Sequence, residues 1–136
     1  MKAYVTITSG DIHGPEGSST EKNQYLIESN QDDVLDTLHL IANLAARVDP
    51  VIVRNKVELF LDLMVKDDAS GVITSRNDAI KNGQPWPENN GDLELVIGVD
   101  SGDDTVDIEL VNFYAVGHKR IEDIMNVIIG HYGCFD

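Results

Sequence analysis

LELVIGV (residues 93–99) and TVDIELVNFYAV (residues 105–116), joined by DSGDD (residues 100–104), form the stretch that decides the fold. Apolar residues occupy every second position of the first segment and of the first half of the second. This period of two is typical of β-strands with one buried face. The aspartates, serine and glycine between the segments favour a reverse turn. The sequence therefore predicts an antiparallel hairpin over residues 93–116.

A helix is predicted directly after the hairpin, over residues 118–131. Its apolar residues recur at helical spacing and share one face; they are Ile121, Ile124, Met125 and Ile128. The C-terminal third of the chain therefore has the order strand–strand–helix.

The N-terminal third predicts the same order. Residues 2–9 alternate like a strand, and residues 25–27 are an apolar run that favours a second strand. A helix over residues 32–48 follows, with a polar capping sequence before it and Pro50 just after it. We therefore expect a single α+β domain over residues 1–136, with helices packed on one face of a largely antiparallel sheet.

The middle of the chain fits two periodicities. Apolar residues at 57, 59, 61, 63 and 65 alternate as in a strand, whereas those at 57, 60, 61, 64 and 65 fit a helix that Asp49 and Pro50 would begin well. Within residues 51–66 we assign a strand to residues 57–66, paired with residues 51–53 across residues 54–56. A short helix over residues 75–82, ending at Gly83, and a loop over residues 84–91 complete the prediction.

Charge is the outlying property of the composition. The 136 residues include 24 acids and 10 bases, a net charge of −14. Such a chain repels nucleic acid and anionic membranes, so neither is an expected partner. A basic protein is the complementary partner, because opposite electrostatic fields steer association. The alternative is that acidity serves solubility alone. The N-terminus has no apolar leader, and we expect the cytoplasm.

The hairpin concentrates this charge. No lysine or arginine occurs over residues 82–118. Strand alternation places Glu94, Asp107 and Glu109 on the face opposite the apolar residues, beside Val96, Val111 and Phe113. Like charges that face one another across strands destabilise a sheet, so this face suggests partner binding. We predict that the acids of this region carry the partner contact; they are Glu94, Asp100, Asp103, Asp104, Asp107 and Glu109.

Trp86 lies between two prolines in the predicted loop and is the candidate anchor of the same interface. Tryptophan is enriched among the residues that dominate interface energies, and prolines lower the cost of ordering a loop. The alternative is that Trp86 packs against the edge of its own core.

Two motifs suggest metal chemistry. SGDIHG (residues 9–14) resembles the first metal-binding motif of the calcineurin-like metallophosphoesterases, in which Asp11 and His13 would be ligands of a two-metal centre. The resemblance covers six residues, and the later motifs of that family have no counterparts, although His118 and His131 are available. The acids of residues 100–109 suggest calcium, but their order does not match an EF-hand.

The expected function is therefore binding and inhibition of a basic macromolecule. The setting would be an immunity protein against a nuclease-like toxin, or a nucleic-acid mimic that inhibits a defence protein. We expect no catalysis, no cofactor and no metal. The alternatives are a metal-dependent hydrolase using Asp11 and His13, and a homo-oligomeric scaffold protein. A homodimer is also compatible with the inhibitor function.

Overall fold

The computed structural model describes residues 1–10, 21–47, 50–67, 72–100, 102, 105–116 and 119–132. In chain order the elements are β1 (Lys2–Gly10), β2 (Glu21–Glu28), α1 (Gln31–Arg47), α2 (Pro50–Asp67), β3 (Ile73–Ser75), α3 (Arg76–Lys81), β4 (Leu93–Asp100), β5 (Thr105–Val111), a short 3-10 helix (Phe113–Ala115) and α4 (Lys119–Tyr132). The strand–strand–helix order predicted for both ends is confirmed.

The five strands form one mixed sheet in the order β3-β2-β1-β4-β5. Three neighbouring pairs are antiparallel, and the central pair, β1 with β4, is parallel. The predicted α+β fold with a largely antiparallel sheet is therefore confirmed. β3 and β5 are the edge strands.

The hydrophobic core lies against one face of this sheet. Val5 pairs with Tyr25 on β2 and with Leu95 on β4, so their side chains share that face. All three are fully buried, and they belong to one cluster with the buried residues of α1, α2 and α4. Burial of each large apolar side chain contributes roughly 1.5–3 kcal/mol, so this cluster is the main source of stability.

The N-terminus of α1 is capped as its sequence predicts. The backbone N–H of Asp33 donates to Asn30 Oδ1 at 2.8 Å, and Asn30 Nδ2 donates back to Asp33 Oδ2 at 2.8 Å. These bonds satisfy a backbone donor that the first helical turn would otherwise leave unpaired. The acids of this turn also complement the positive end of the helix dipole.

The strand assigned within residues 51–66 is wrong, because Pro50–Asp67 forms the single helix α2. Val53, Val57 and Leu61 point inward at helical spacing and are fully buried. The apparent period of two arose because Leu59 and Leu63, on the outer side of the helix, are also large and apolar. Pro50 occupies the first turn, where its missing N–H costs no helical hydrogen bond.

Two loops matter for the surface of the sheet: the segment after α3 and the turn after β5. Gly83, at φ 71°, ends α3 in the left-handed region, as the sequence predicts. The following segment crosses the sheet face opposite the core, where Pro87 O accepts a 2.7 Å hydrogen bond from the Tyr4 hydroxyl. The second predicted strand of the hairpin is too long, because Asn112 adopts φ 62° and turns the chain into the 3-10 helix.

None of the helices in the described part of the chain is long and apolar enough to cross a membrane.

Candidate binding surface

Asp107 and Glu109 are the acids that the hairpin presents openly to solvent. They alternate on β5 with Val106 and Ile108, which are buried, so both carboxylates project from the opposite face of the sheet. Neither carboxylate has an ion pair within the described residues. Because β5 is an edge strand, these carboxylates lie beside an unpaired strand edge. We call Asp107, Glu109, Val96 and Val111 the acidic strand face.

The strand register separates the acids of this face. Glu109 lies opposite Val96, Asp107 opposite Gly98, and Glu94 opposite Val111. The expectation that like charges face one another across the strands is therefore wrong. The nearest cross-strand acids are the diagonal pair Glu94 and Glu109, and diagonal neighbours are about 7–8 Å apart, where repulsion is weaker. The sheet accommodates these acids without a large electrostatic cost.

Glu94 differs from the two exposed acids because its carboxyl group is held by its own chain. The Thr6 hydroxyl donates to Glu94 Oε2 at 2.6 Å, and Asn89 Nδ2 donates to Glu94 Oε1 at 2.8 Å. Asn89 is itself fixed, since its Oδ1 accepts the backbone N–H of Asp92 at 2.7 Å. Glu94 thus joins the crossing loop to the sheet.

Trp86 belongs to the same network. Its indole Nε1 donates to Gln24 Oε1 at 2.9 Å, and Gln24 Nε2 donates to the Thr6 hydroxyl at 3.0 Å. The Trp86 ring also meets Tyr4 edge to face, with centroids 6.2 Å apart. Burial, followed by nearby acids, raises the pKa of Tyr4. Trp86 is half-buried and packs on the sheet face opposite the core, so it contacts its own chain but does not cover the edge of the core. Its role as the anchor of an interface stays a prediction.

The turn between β4 and β5 is described only in part. Asp100 is 7% exposed, and its Oδ1 accepts the backbone N–H of Gly102 at 2.9 Å, as in an Asx turn. Asp103 and Asp104 lie outside the described residues. Their role in partner binding stays a prediction.

The predicted metal ligands also fall largely outside the described part of the chain. This applies to Asp11, His13 and His118, and to the side chain of His131. Over the described ranges, no group of three or more histidine, cysteine, aspartate or glutamate side chains is arranged to hold a metal ion. The hydrolase hypothesis therefore rests on the six-residue motif alone.

Tyr114 is the exposed aromatic residue that the sequence analysis missed. It is 86% exposed and stacks on Phe113, with ring centroids 4.2 Å apart. The two rings line a surface cavity of about 530 Å³ with Lys119 and Met125 of α4. The sequence does contain a signal, because two consecutive large aromatic residues cannot both face the core from one strand. The hairpin therefore ends beside an exposed aromatic group.

No protein-family model, curated protein or solved structure matches the chain.

Proposed function

We propose that this protein binds a basic macromolecule through the acidic strand face and blocks it without turnover. The observation that carries the proposal is the exposure of Asp107 and Glu109 within a 37-residue span, 82–118, that contains no lysine or arginine. Asp107 and Glu109 have no ion pair in the described part of the chain, and such carboxylates attract lysine and arginine of a partner and speed its approach. An immunity protein against a nuclease-like toxin and a nucleic-acid mimic both use this chemistry.

Tyr114 supplies the apolar contact of this proposal. Tyrosine is among the residues that dominate interface energies, since it brings a large contact area at low entropic cost. It follows β5 by three residues and lines the cavity next to α4. The charges would steer the partner, and the aromatic ring would hold it in place.

The test compares two charge reversals of equal size. In one variant Asp107 and Glu109 become lysine. In the control, Glu28 and Asp78 become lysine; both are exposed acids on the β3 side of the sheet. Each protein is immobilised and incubated with lysate of the source organism, and retained proteins are identified at low and high salt. We expect a basic protein to be retained by the wild type and the control and lost from the Asp107/Glu109 variant.

Kinetics with that retained protein separate the two parts of the surface. Reversal of Asp107 and Glu109 should lower the association rate about 10-fold or more and weaken its salt dependence. Tyr114→Ala should mainly raise the dissociation rate, by roughly 10-fold. Equal binding by both charge-reversal variants would remove the acidic strand face from the proposal.

A further inference from the structure

α2 carries large apolar residues on two opposite sides. Its inner side is in the core, whereas Ile52, Leu59 and Leu63 are 41%, 60% and 48% exposed. At 3.6 residues per turn these three residues lie within about 40° of one another on the helix surface. We call them, together with Lys56, Asp62 and Lys66, the outer face of α2. A helix that is apolar on both sides is normally covered on both sides.

Within the described part of the chain this face is left uncovered, since its three apolar residues are 41–60% exposed. Beyond the described side chains, the sequence contains six large apolar or aromatic residues; they are Ile12, Val48, Val51, Ile129, Tyr132 and Phe135. Single exposed leucines are common on protein surfaces, but three on one stripe of one helix form a patch. Such a patch indicates an intermolecular contact.

The charges of the outer face point to the kind of partner. Lys56, Asp62 and Lys66 are all exposed, and Asp62 also accepts a hydrogen bond from the Tyr25 hydroxyl through its Oδ1. The face therefore carries both signs with a slight excess of base, in a chain whose net charge is −14. A basic partner has no electrostatic attraction to such a face. Two-fold contacts require a surface that complements itself, and a face with both signs can pair with its own copy. The outer face of α2 is also a part of the surface where two strongly acidic chains repel each other weakly, because it carries two lysines.

We propose that the outer face of α2 is the interface of a homodimer, separate from the acidic strand face. Leu59 lies between Ile52 and Leu63 along the stripe and is the most exposed of the three. In the dimer these side chains would leave water, and their burial would drive association. Lys56 and Lys66 would lie at the rim, within reach of carboxylates of the second copy. Dimer formation would leave β5 free for another partner.

Sedimentation equilibrium tests the proposal. We expect the wild type to approach twice its 15.0 kDa mass as concentration rises, and the double variant Leu59→Glu/Leu63→Glu to stay at 15.0 kDa. Ile80→Glu is the matched control, because Ile80 is 58% exposed on α3, and it should dimerise like the wild type. Far-UV circular dichroism checks that all three proteins are folded.

Salt gives a second, independent readout. Dimerisation joins two chains of charge −14, so added salt should screen their repulsion and tighten the dimer. Three results would overturn the proposal. They are a wild type that stays monomeric up to about 100 µM, where even weak dimers begin to form, a glutamate variant that still dimerises, and an acidic protein that occupies this face instead of a second copy.

Discussion

The acidic strand face and the outer face of α2 expose opposite chemistry on one small molecule. The first has two carboxylates without counter-ions in the described part of the chain, and the second has three apolar side chains flanked by charges of both signs. Attraction to a basic partner weakens with salt, whereas contact between two acidic copies strengthens with it. A net charge of −14 therefore does not describe every part of the surface. Each face has to be judged from its own residues.

The largest expected effect on stability is a difference between substitutions on the buried side and on the outer side of α2. Leu61→Ala should lower the free energy of unfolding by about 2–5 kcal/mol, because Leu61 is fully buried and its loss leaves a cavity. Leu59→Ala should change it by less than about 0.5 kcal/mol in the monomer, because Leu59 is 60% exposed. Urea denaturation at low protein concentration measures both. Similar losses for the two variants would mean that the outer side is buried within the monomer.

A second pair of variants divides the acids of the hairpin. Glu94→Gln should cost about 1–2 kcal/mol of stability, because an amide cannot accept from both Thr6 and Asn89. Glu109→Gln removes the same charge from an exposed carboxyl group and should change stability by less than about 0.5 kcal/mol. Thermal unfolding of the two variants compares them directly. If Glu109→Gln costs as much as Glu94→Gln, the acidic strand face is not free for a partner.

The smallest effect concerns the contact that joins α2 to the sheet. The Tyr25 hydroxyl donates to Asp62 Oδ1 at 2.7 Å, and burial together with this bond raises the pKa of Tyr25 above its usual 10.0. Below pH 10 the folded and unfolded chains both keep this proton. Above it the unfolded chain loses the proton first, so the free energy of unfolding should fall as pH rises. Tyr25→Phe should cost about 1 kcal/mol at neutral pH and reduce that fall.

Denaturation at several pH values from about 9 to 11 measures this dependence. Tyr114→Phe is the control, since Tyr114 is 86% exposed and should leave the stability unchanged. The pH dependence predicted for Tyr25 is contradicted if the wild type and Tyr25→Phe lose stability equally over this range.

The two ends of the chain were predictable because their signals are local. The hairpin strands alternate cleanly, and the Asn30 cap of α1 can be recognised from neighbouring residues. The two strand–strand–helix units share no residue pattern, and their strands are also arranged differently in the sheet. β2 lies beside β1 and β5 lies beside β4, on opposite sides of the parallel central pair. The units therefore have opposite hands and do not form a repeat.

The sequence did not distinguish the helix α2 from a strand, because α2 has apolar residues on its outer face as well as on its buried side. Apolar residues normally mark the core side, so leucines at 59 and 63 together with 57, 61 and 65 indicate a strand. If the outer face binds a second copy, as we propose, the pattern reflects two interfaces on one helix. Information about a partner is not contained in the periodicity of a single segment.

The candidate surface was predicted in part. Alternation correctly placed Asp107 and Glu109 on the side of β5 that faces away from the core, because burial has a simple period in a strand. It could not show that Glu94 is held by Thr6 and Asn89, since the loop that brings Asn89 there follows no such period. For the same reason the sequence could not predict that the Trp86 indole donates a hydrogen bond to Gln24.

The parallel pairing of β1 with β4 has a consequence for synthesis of the chain. Val5 pairs with Leu95, so the centre of the sheet joins residues that leave the ribosome far apart in time. Until β4 is made, β1 has one unpaired edge, and β1 and β2 lack the strand that completes their core face. Contacts so distant in sequence close slowly because of the entropy of the intervening chain. We therefore expect aggregation and chaperone binding to be most favoured during synthesis, after β1 and β2 have been made and before β4 has been made.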